Sequence, residues 1–260
     1  MEGEIKCMFP RRVDPDLVAQ LPIVKCPDEI VLVQTPDQLD GVLSEIASES
    51  VLGFDTETRP SFSKKQHYKV AILQLAGASK AWVFRLEPLE SRLSDIYKIL
   101  ENPDIIKAGL AVRGDIRSLS ARMNFKAAGF VDISNYTSRM GIINTGMKNL
   151  AALFLGERVS KAAQMSNWDA DLTPKQLDYA ATDAWMSRRL YLEVLKVLES
   201  GRAEVEPEPD PIPAPFSFSK FYKEWTRRFG RIFAKVKRTV KNSLGGKKRR
   251  HRRRRGKKSR

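Results

Sequence analysis

Cysteine and histidine are scarce in this 260-residue chain, with two of each. Cys7 and Cys26 are too few for a disulfide framework or a cysteine-rich zinc site, and they read as reduced thiols. His251 lies inside an arginine run, which leaves His67 as the histidine available for buried chemistry. That argues against Ser-His-Asp catalysis and HExxH zinc sites. No GxxxxGK[ST] or GxGxxG run is present, so no glycine loop cradles a phosphate. No stretch approaches 18 consecutive apolar residues, so none is long enough to span a membrane. The opening MEGEIKCMFPRR lacks the apolar centre of a secretory signal, and the expectation is a cytosolic protein. An enzyme made from what remains would work through carboxylates.

What the chain has in excess is positive charge, formally +15, and it is unevenly placed. Residues 1–200 carry 25 basic and 26 acidic side chains, whereas 216–260 carry 20 basic residues and a single acid, Glu224. The organisation follows from this split: an N-terminal extension (1–27), a folded domain (28–200), a Pro/acid-rich linker (201–215), a basic amphipathic helix (216–244) and a disordered Lys/Arg tail (245–260). In the helix, Phe218, Phe221, Tyr222, Trp225, Phe229, Ile232 and Phe233 recur at steps of three and four, with lysines and arginines filling the other side. Three uses remain open for it: a nucleic-acid arm, a helix lying on an anionic membrane surface, or a helix docking on a protein partner.

The domain alternates strands and helices. IVLVQT (30–35), VLGFDTET (51–58), YKVAILQLA (68–76), KAWVFRL (80–86), DIIKAGLA (104–111) and GFVDI (129–133) read as strands. Thr35-Pro36 opens a helix with Leu39, Val42, Leu43 and Ile46 on one face. Helices are also expected over Leu89–Leu100, over about Gly114–Met123, near 146–156, and from Thr173-Pro174 to about Leu198. Hairpin pairing followed by crossovers through helices predicts an α/β fold with a mixed sheet flanked by helices.

Three acidic patterns fall at the ends of these elements. Asp55 and Glu57 are alternate residues at a strand end and share a face. Two carboxylates that close repel each other unless cations neutralise them. Tyr179 and Asp183 lie four apart on the last helix and stack one turn apart. Small residues at Ala180, Ala181 and Ala184 let that helix approach a sheet closely. Asp115 opens the helix after the 104–111 strand. Taken singly, each pattern also suits an ordinary solvated surface.

Taken together, in this order and on these elements, FDTET (54–58), GLAVRGDIRSL (109–119) and YAATD (179–183) resemble the three exonuclease motifs of the DEDD superfamily, DEDDy subclass. The likeness is to the 3′–5′ exonuclease domain shared by RNase D and Werner-type exonucleases. The LQLA strand (73–76), Lys161 and the run from Ser166 to Trp185 extend it over roughly 28–198. The resemblance implies a ribonuclease H-like fold and metal-dependent hydrolysis of nucleic acid from a 3′ end, releasing nucleoside 5′-monophosphates. It implies two divalent ions, Mg2+ or Mn2+, on Asp55, Glu57, Asp115 and Asp183. Asp55 would bridge both ions, Glu57 and Asp183 would serve the attacking side, and Asp115 the leaving-group side through water. Tyr179 would orient the attacking water, since a phenol with a pKa near 10 is a poor base at neutral pH. Thr56, Gln74 and Lys161 are candidate substrate contacts, and a bacterial cytosolic setting is implied.

Two departures touch substrate contacts rather than chemistry: Thr58-Arg59-Pro60 follows Glu57 where family members often carry an aromatic, and Asp171 precedes Leu172 in place of an Arg-Pro pair. A catalytically silent nucleic-acid-binding module is the competing reading. The presence of all four carboxylates and the tyrosine weighs against it.

Overall fold

The computed structural model describes residues 9–63 and 66–200. Cys7, the Lys64-Lys65 pair, the linker, the basic amphipathic helix and the Lys/Arg tail lie outside the described residues.

Six strands form one mixed sheet: β1 (Glu29–Val33), β2 (Val51–Thr58), β3 (Val70–Ala76), β4 (Lys80–Arg85), β5 (Ile106–Gly109) and β6 (Phe130–Asp132). Their spatial order is β1-β4-β3-β2-β5-β6. The meander β2-β3-β4 is antiparallel, while β1, β5 and β6 join it in parallel fashion through helical crossovers. This is the mixed sheet expected from the sequence, and it puts the strand carrying Asp55 and Glu57 in the interior of the sheet.

Among the described residues seven helices accompany the strands: α1 (Pro15–Gln20), α2 (Pro36–Ala47), α3 (Leu93–Glu101), α4 (Arg113–Ser120), α5 (Ile133–Arg139), α6 (Met147–Leu155) and α7 (Pro174–Glu199). The starts of α2 and α7 are written in the sequence. Thr35 and Thr173 each accept the N–H three residues on, and Gln38 and Gln176 reach back to complete capping boxes, with Pro at the first helical position. The helix expected from Leu89 begins with a separate 3-10 turn at Glu90–Arg92. The strand expected over 104–111 is shorter. After Gly109 the chain turns at Ala111, a left-handed residue (φ 54°) whose N–H is held by Asp132 Oδ1 at 3.1 Å.

Strand alternation sorts the side chains to two layers. Leu52 and Phe54, Leu73 and Leu75, Trp82 and Phe84 face α2, α3 and α4 across the larger apolar core. Ile72 and Ala76, Ala81 and Val83 face Ala180, Ala181 and Ala184 of α7. Gly53 lies on the α7 side. A Cβ placed there would sit 1.8 Å from the carbonyl oxygen of Ala184 and 2.8 Å from the nitrogen of Arg188, so the helix backbone rests directly on β2. Arg188 fastens the contact, its Nε donating to the Val51 carbonyl at 3.1 Å.

The segment before β1 packs on the domain. Val24 N–H donates to the Arg158 carbonyl (2.9 Å), Arg158 N–H to that of Pro22 (3.0 Å), and Cys26 N–H to Thr182 Oγ1 (3.0 Å). Lys107 on β5 is fully buried and serves as an internal cap. Its Nζ donates to the carbonyls of Ile99 (3.2 Å) and Asn102 (2.7 Å) at the end of α3 and of Ile105 (2.8 Å) just before β5, and burial lowers its pKa to about 7.

Candidate active site

The polar end of β2 is where the sheet stops being covered. Its first four residues are buried and its last four, Asp55 to Thr58, are partly exposed. By alternation Asp55 and Glu57 point to the same side as Gly53, the α7 side. Because α7 rests on Gly53, Asp183, one residue before Ala184, is carried to the same place. Carboxylate oxygens of Asp55, Glu57 and Asp183 lie within 4.8 Å of one another.

Asp115 reaches the site from the other layer. Thr56 points to the α4 side, and its hydroxyl donates to Asp115 Oδ1 at 2.5 Å, while its N–H donates to Asp55 Oδ1 at 2.9 Å. Thr56 thus ties the two carboxylate groups together across the strand end. Gln74 pairs with Asp55 in the β2–β3 ladder, is fully buried, and does not line the cleft; among the described residues neither of its side-chain polar atoms has a partner.

The three clustered carboxylates open onto a cleft of about 430 Å3. Tyr179 and Ser187 of α7, the first residues of α6 (Met147, Lys148, Asn149), and Lys161 and Gln164 of the following loop complete its walls. Tyr179, Asp183 and Ser187 are successive turns of one helix face. Trp168 is buried against the Tyr179 ring, with centroids 6.0 Å apart. Trp185 packs under the Arg189 guanidinium, and His67 is exposed in its loop. Asp171, one of the departures from the family pattern, pairs with Arg85 at 2.7 Å.

Burial and mutual repulsion act on the cluster in one direction. Burial, then the charges of Asp183, Asp115 and Glu57, hold the Asp55 pKa well above the carboxylate range. Burial and the charges of Asp183 and Asp115 raise Glu57 from 4.5 to about 8. Burial raises Asp183 from 3.8 to about 7, although the Tyr179 hydroxyl and the Lys161 ammonium draw it back down. Tyr179 is itself pushed far upward by burial and by the adjacent carboxylates, so its hydroxyl keeps its proton at neutral pH.

This donor set suits hard divalent cations: all oxygen, all anionic when ionised, and costly to ionise together without positive charge between them. A pH dependence follows. Groups whose folded-state pKa lies above the unfolded value bind extra protons when folded, so stability falls as pH rises from about 4 through 8. In EDTA the melting temperature is expected to drop between pH 5 and 8. Mg2+ or Mn2+ is expected to raise it more at pH 8 than at pH 5, since only the deprotonated cluster binds metal. Melting curves across that range, with and without metal, check this; a metal effect that is equal at both ends would contradict it.

The fold and the site define a ribonuclease H-like α/β protein with an acidic cleft at the end of a central strand. Residues 30–199 match the family model of the 3′–5′ exonuclease domain, and the chain belongs to that family. It is 28% identical over 181 residues to the mouse bifunctional 3′-5′ exonuclease/ATP-dependent helicase WRN, covering 66% of this chain and 13% of the relative. It is 28% identical over 173 residues to ribonuclease D of Gluconacetobacter diazotrophicus, covering 65% of this chain and 43% of that protein. The chain therefore spans less than half the length of either relative. Its fold matches the crystal structure of the Aedes aegypti Nibbler EXO domain with a TM-score of 0.63 at 21% identity, over 70% of this chain and 95% of that one. Among the described residues no helix is long and apolar enough to cross a membrane.

The sequence reading missed the contribution of α6, Ser187 and Gln164 to the cleft. Two signals were present. Ser187 continues the 179/183 spacing by one more turn, and Gly146 before an apolar helical run marks an N-cap facing whatever precedes it.

Proposed function

We propose that the protein is a metal-dependent 3′–5′ exonuclease acting on nucleic acid with a free 3′ end and releasing nucleoside 5′-monophosphates. The observation that carries this reading is the convergence of Asp55, Glu57 and Asp183 within 4.8 Å, in a chain whose residues 30–199 match the exonuclease domain. Asp55, Glu57 and Asp183, with Asp115 beside them, would hold divalent ions, Glu57 and Asp183 serving the attacking side and Asp115 the leaving-group side. When bound, such ions lower the pKa of a water and neutralise charge on the phosphodiester and on the departing 3′-oxygen.

The remaining work falls to the protein. Thr56 holds Asp115 through its hydroxyl and so sets the separation between the two carboxylate layers. Tyr179 keeps its proton, so its Oη can make hydrogen bonds but is a poor proton acceptor, which suits it to fixing the orientation of an attacking water and not to acting as a base. Lys161 stands near enough to Asp183 to lower its pKa and supplies a cation to the substrate backbone. Tyr179→Phe is expected to lower kcat by about 10²-fold with little change in KM, the usual scale for one positioned group; an unchanged kcat would remove Tyr179 from the chemistry.

The decisive assay follows 5′-labelled linear DNA and RNA, and circular strands, in Mg2+, Mn2+ or EDTA. Stepwise shortening from the 3′ end, metal dependence and intact circles are expected. Cleavage of circles would show an endonuclease, and persistence of activity in EDTA would remove the metal ions from the mechanism.

A further inference from the structure

The cleft has two unlike walls. One is the carboxylate cluster, which repels any anion not shielded by cations. The other is the start of α6, flanked by Lys148, Asn149, Lys161 and Gln164. Gly146 caps α6 in an extended conformation (φ −77°, ψ 153°) with no side-chain cap. Its carbonyl receives the N–H groups of Asn149 (3.0 Å) and Leu150 (3.1 Å), which leaves those of Met147 and Lys148 with no acceptor among the described residues. There is no acidic residue in the first turn. Lys148 has no ion-pair partner among the described residues either.

A second feature points to a ligand at the same place. Ser187 lines this cleft, is 1% exposed, and its Oγ has no hydrogen-bond partner among the described residues. A buried hydroxyl left unpaired is costly. Free main-chain N–H groups at a helix start, the positive end of its dipole and an uncommitted ammonium form an environment for a phosphate. An acceptor in the cleft would also satisfy Ser187.

We propose that the N-terminal turn of α6, with Lys148 and Ser187, is a second phosphate subsite that grips a non-scissile backbone phosphate of the strand whose 3′ end lies at the carboxylates. The proposal rests on the exonuclease reading for the identity of the strand. One strand then answers both walls: its scissile phosphate lies at the cation-binding side and a neighbouring phosphate at the helix terminus. The subsite reads charge and backbone spacing, not bases.

The test uses the full-length protein and a 5′-labelled ten-nucleotide single strand in Ca2+, with one methylphosphonate linkage moved stepwise from the 3′ end. Binding is read by fluorescence anisotropy. Neutralising one non-scissile linkage is expected to weaken wild-type binding about tenfold, the scale of one charge-assisted contact. Met147→Pro removes a main-chain N–H at a helical position where proline is tolerated, and Lys148→Gln removes the charge. Each is expected to weaken binding of the unmodified strand about tenfold and to abolish the penalty at that one linkage. Lys148→Gln should also reduce the slope of log K against log salt by about 0.7. Because the penalty is position-specific, the basic residues after 216 do not produce it.

Circular dichroism separates a misfolded Met147→Pro from an informative one, and Lys148→Gln then decides alone. Wild-type affinity in both variants, or an unchanged penalty at every linkage, overturns the subsite. So does a nucleoside 5′-monophosphate that binds as tightly as the ten-mer, since the released phosphate would then be the occupant. Mg2+-dependent hydrolysis with no linkage effect sinks the subsite alone. A linkage effect without hydrolysis sinks the exonuclease reading and leaves an anion site.

Discussion

Asp183→Asn is expected to reduce metal-dependent hydrolysis by about 10³-fold or more while making the metal-free protein more stable. The two effects have one cause. Asp183 is buried against Asp55 and Glu57, and its pKa is raised to about 7. At pH 8 the folded protein carries a carboxylate cluster whose members repel one another. Replacing one charge with a neutral amide of the same shape relieves that repulsion by on the order of 1–3 kcal/mol. The same change removes a cation ligand. A loss of about 4 kcal/mol of transition-state stabilisation corresponds to about 10³-fold in rate. Melting temperature in EDTA should therefore rise, and the increment given by Mg2+ should disappear. Asp55→Asn should behave alike in activity. Retained hydrolysis in either variant would refute the assignment; lower stability of Asp183→Asn in EDTA would refute the electrostatic account of the cluster.

The second large effect is expected at a residue with no functional group. Gly53→Ala should destabilise the domain by about 3 kcal/mol, the upper end of ordinary overpacking, and should cost about 10²-fold in kcat even where the protein remains folded. The added methyl would meet the Ala184 carbonyl oxygen at 1.8 Å, and the three nearest atoms are all helix backbone, which cannot rotate away. Helix α7 must lift from β2, carrying Asp183 and Tyr179 with it. A displacement of about 1 Å at a reacting centre is enough for that loss. Urea unfolding measures the first effect, and initial rates with a metal titration measure the second. Gly53→Ala with normal stability and normal metal dependence would show that helix contact does not place Asp183.

These two positions mark how far the sequence could be read. Asp183 was legible: a strand ending in FDTET and a helix carrying YAATD announce their acidic residues by local spacing, and Thr35-Pro36 and Thr173-Pro174 announce the helix starts. The requirement for glycine at position 53 was not. Within a strand, Gly53 reads as a weak point in an apolar run, and only the contact with Ala184, 131 positions later in the chain, gives it a reason. Thr56 shows the same limit. Its neighbours made it a candidate substrate contact, whereas strand alternation sends its hydroxyl to the opposite layer, where Asp115 accepts it. Lys107, in a strand that reads as apolar, is fully buried because three carbonyls between the end of α3 and the start of β5 surround its ammonium.

By itself, then, the sequence determined the six strands, five of the seven described helices, the starts of α2 and α7, and which acidic side chains sit at element ends, while the short helices α1 and α5 went unread, because helix and strand periods and capping act between residues a few positions apart and short helices carry little of either. The tertiary structure alone decided that Asp55, Glu57 and Asp183 share one pocket, that Asp115 is tied to the strand end beside it from the far layer through Thr56, and that the start of α6 lines the same cleft. Those outcomes depend on strand order and on how closely α7 can approach β2, and steric fit between segments more than a hundred residues apart leaves no local period to read.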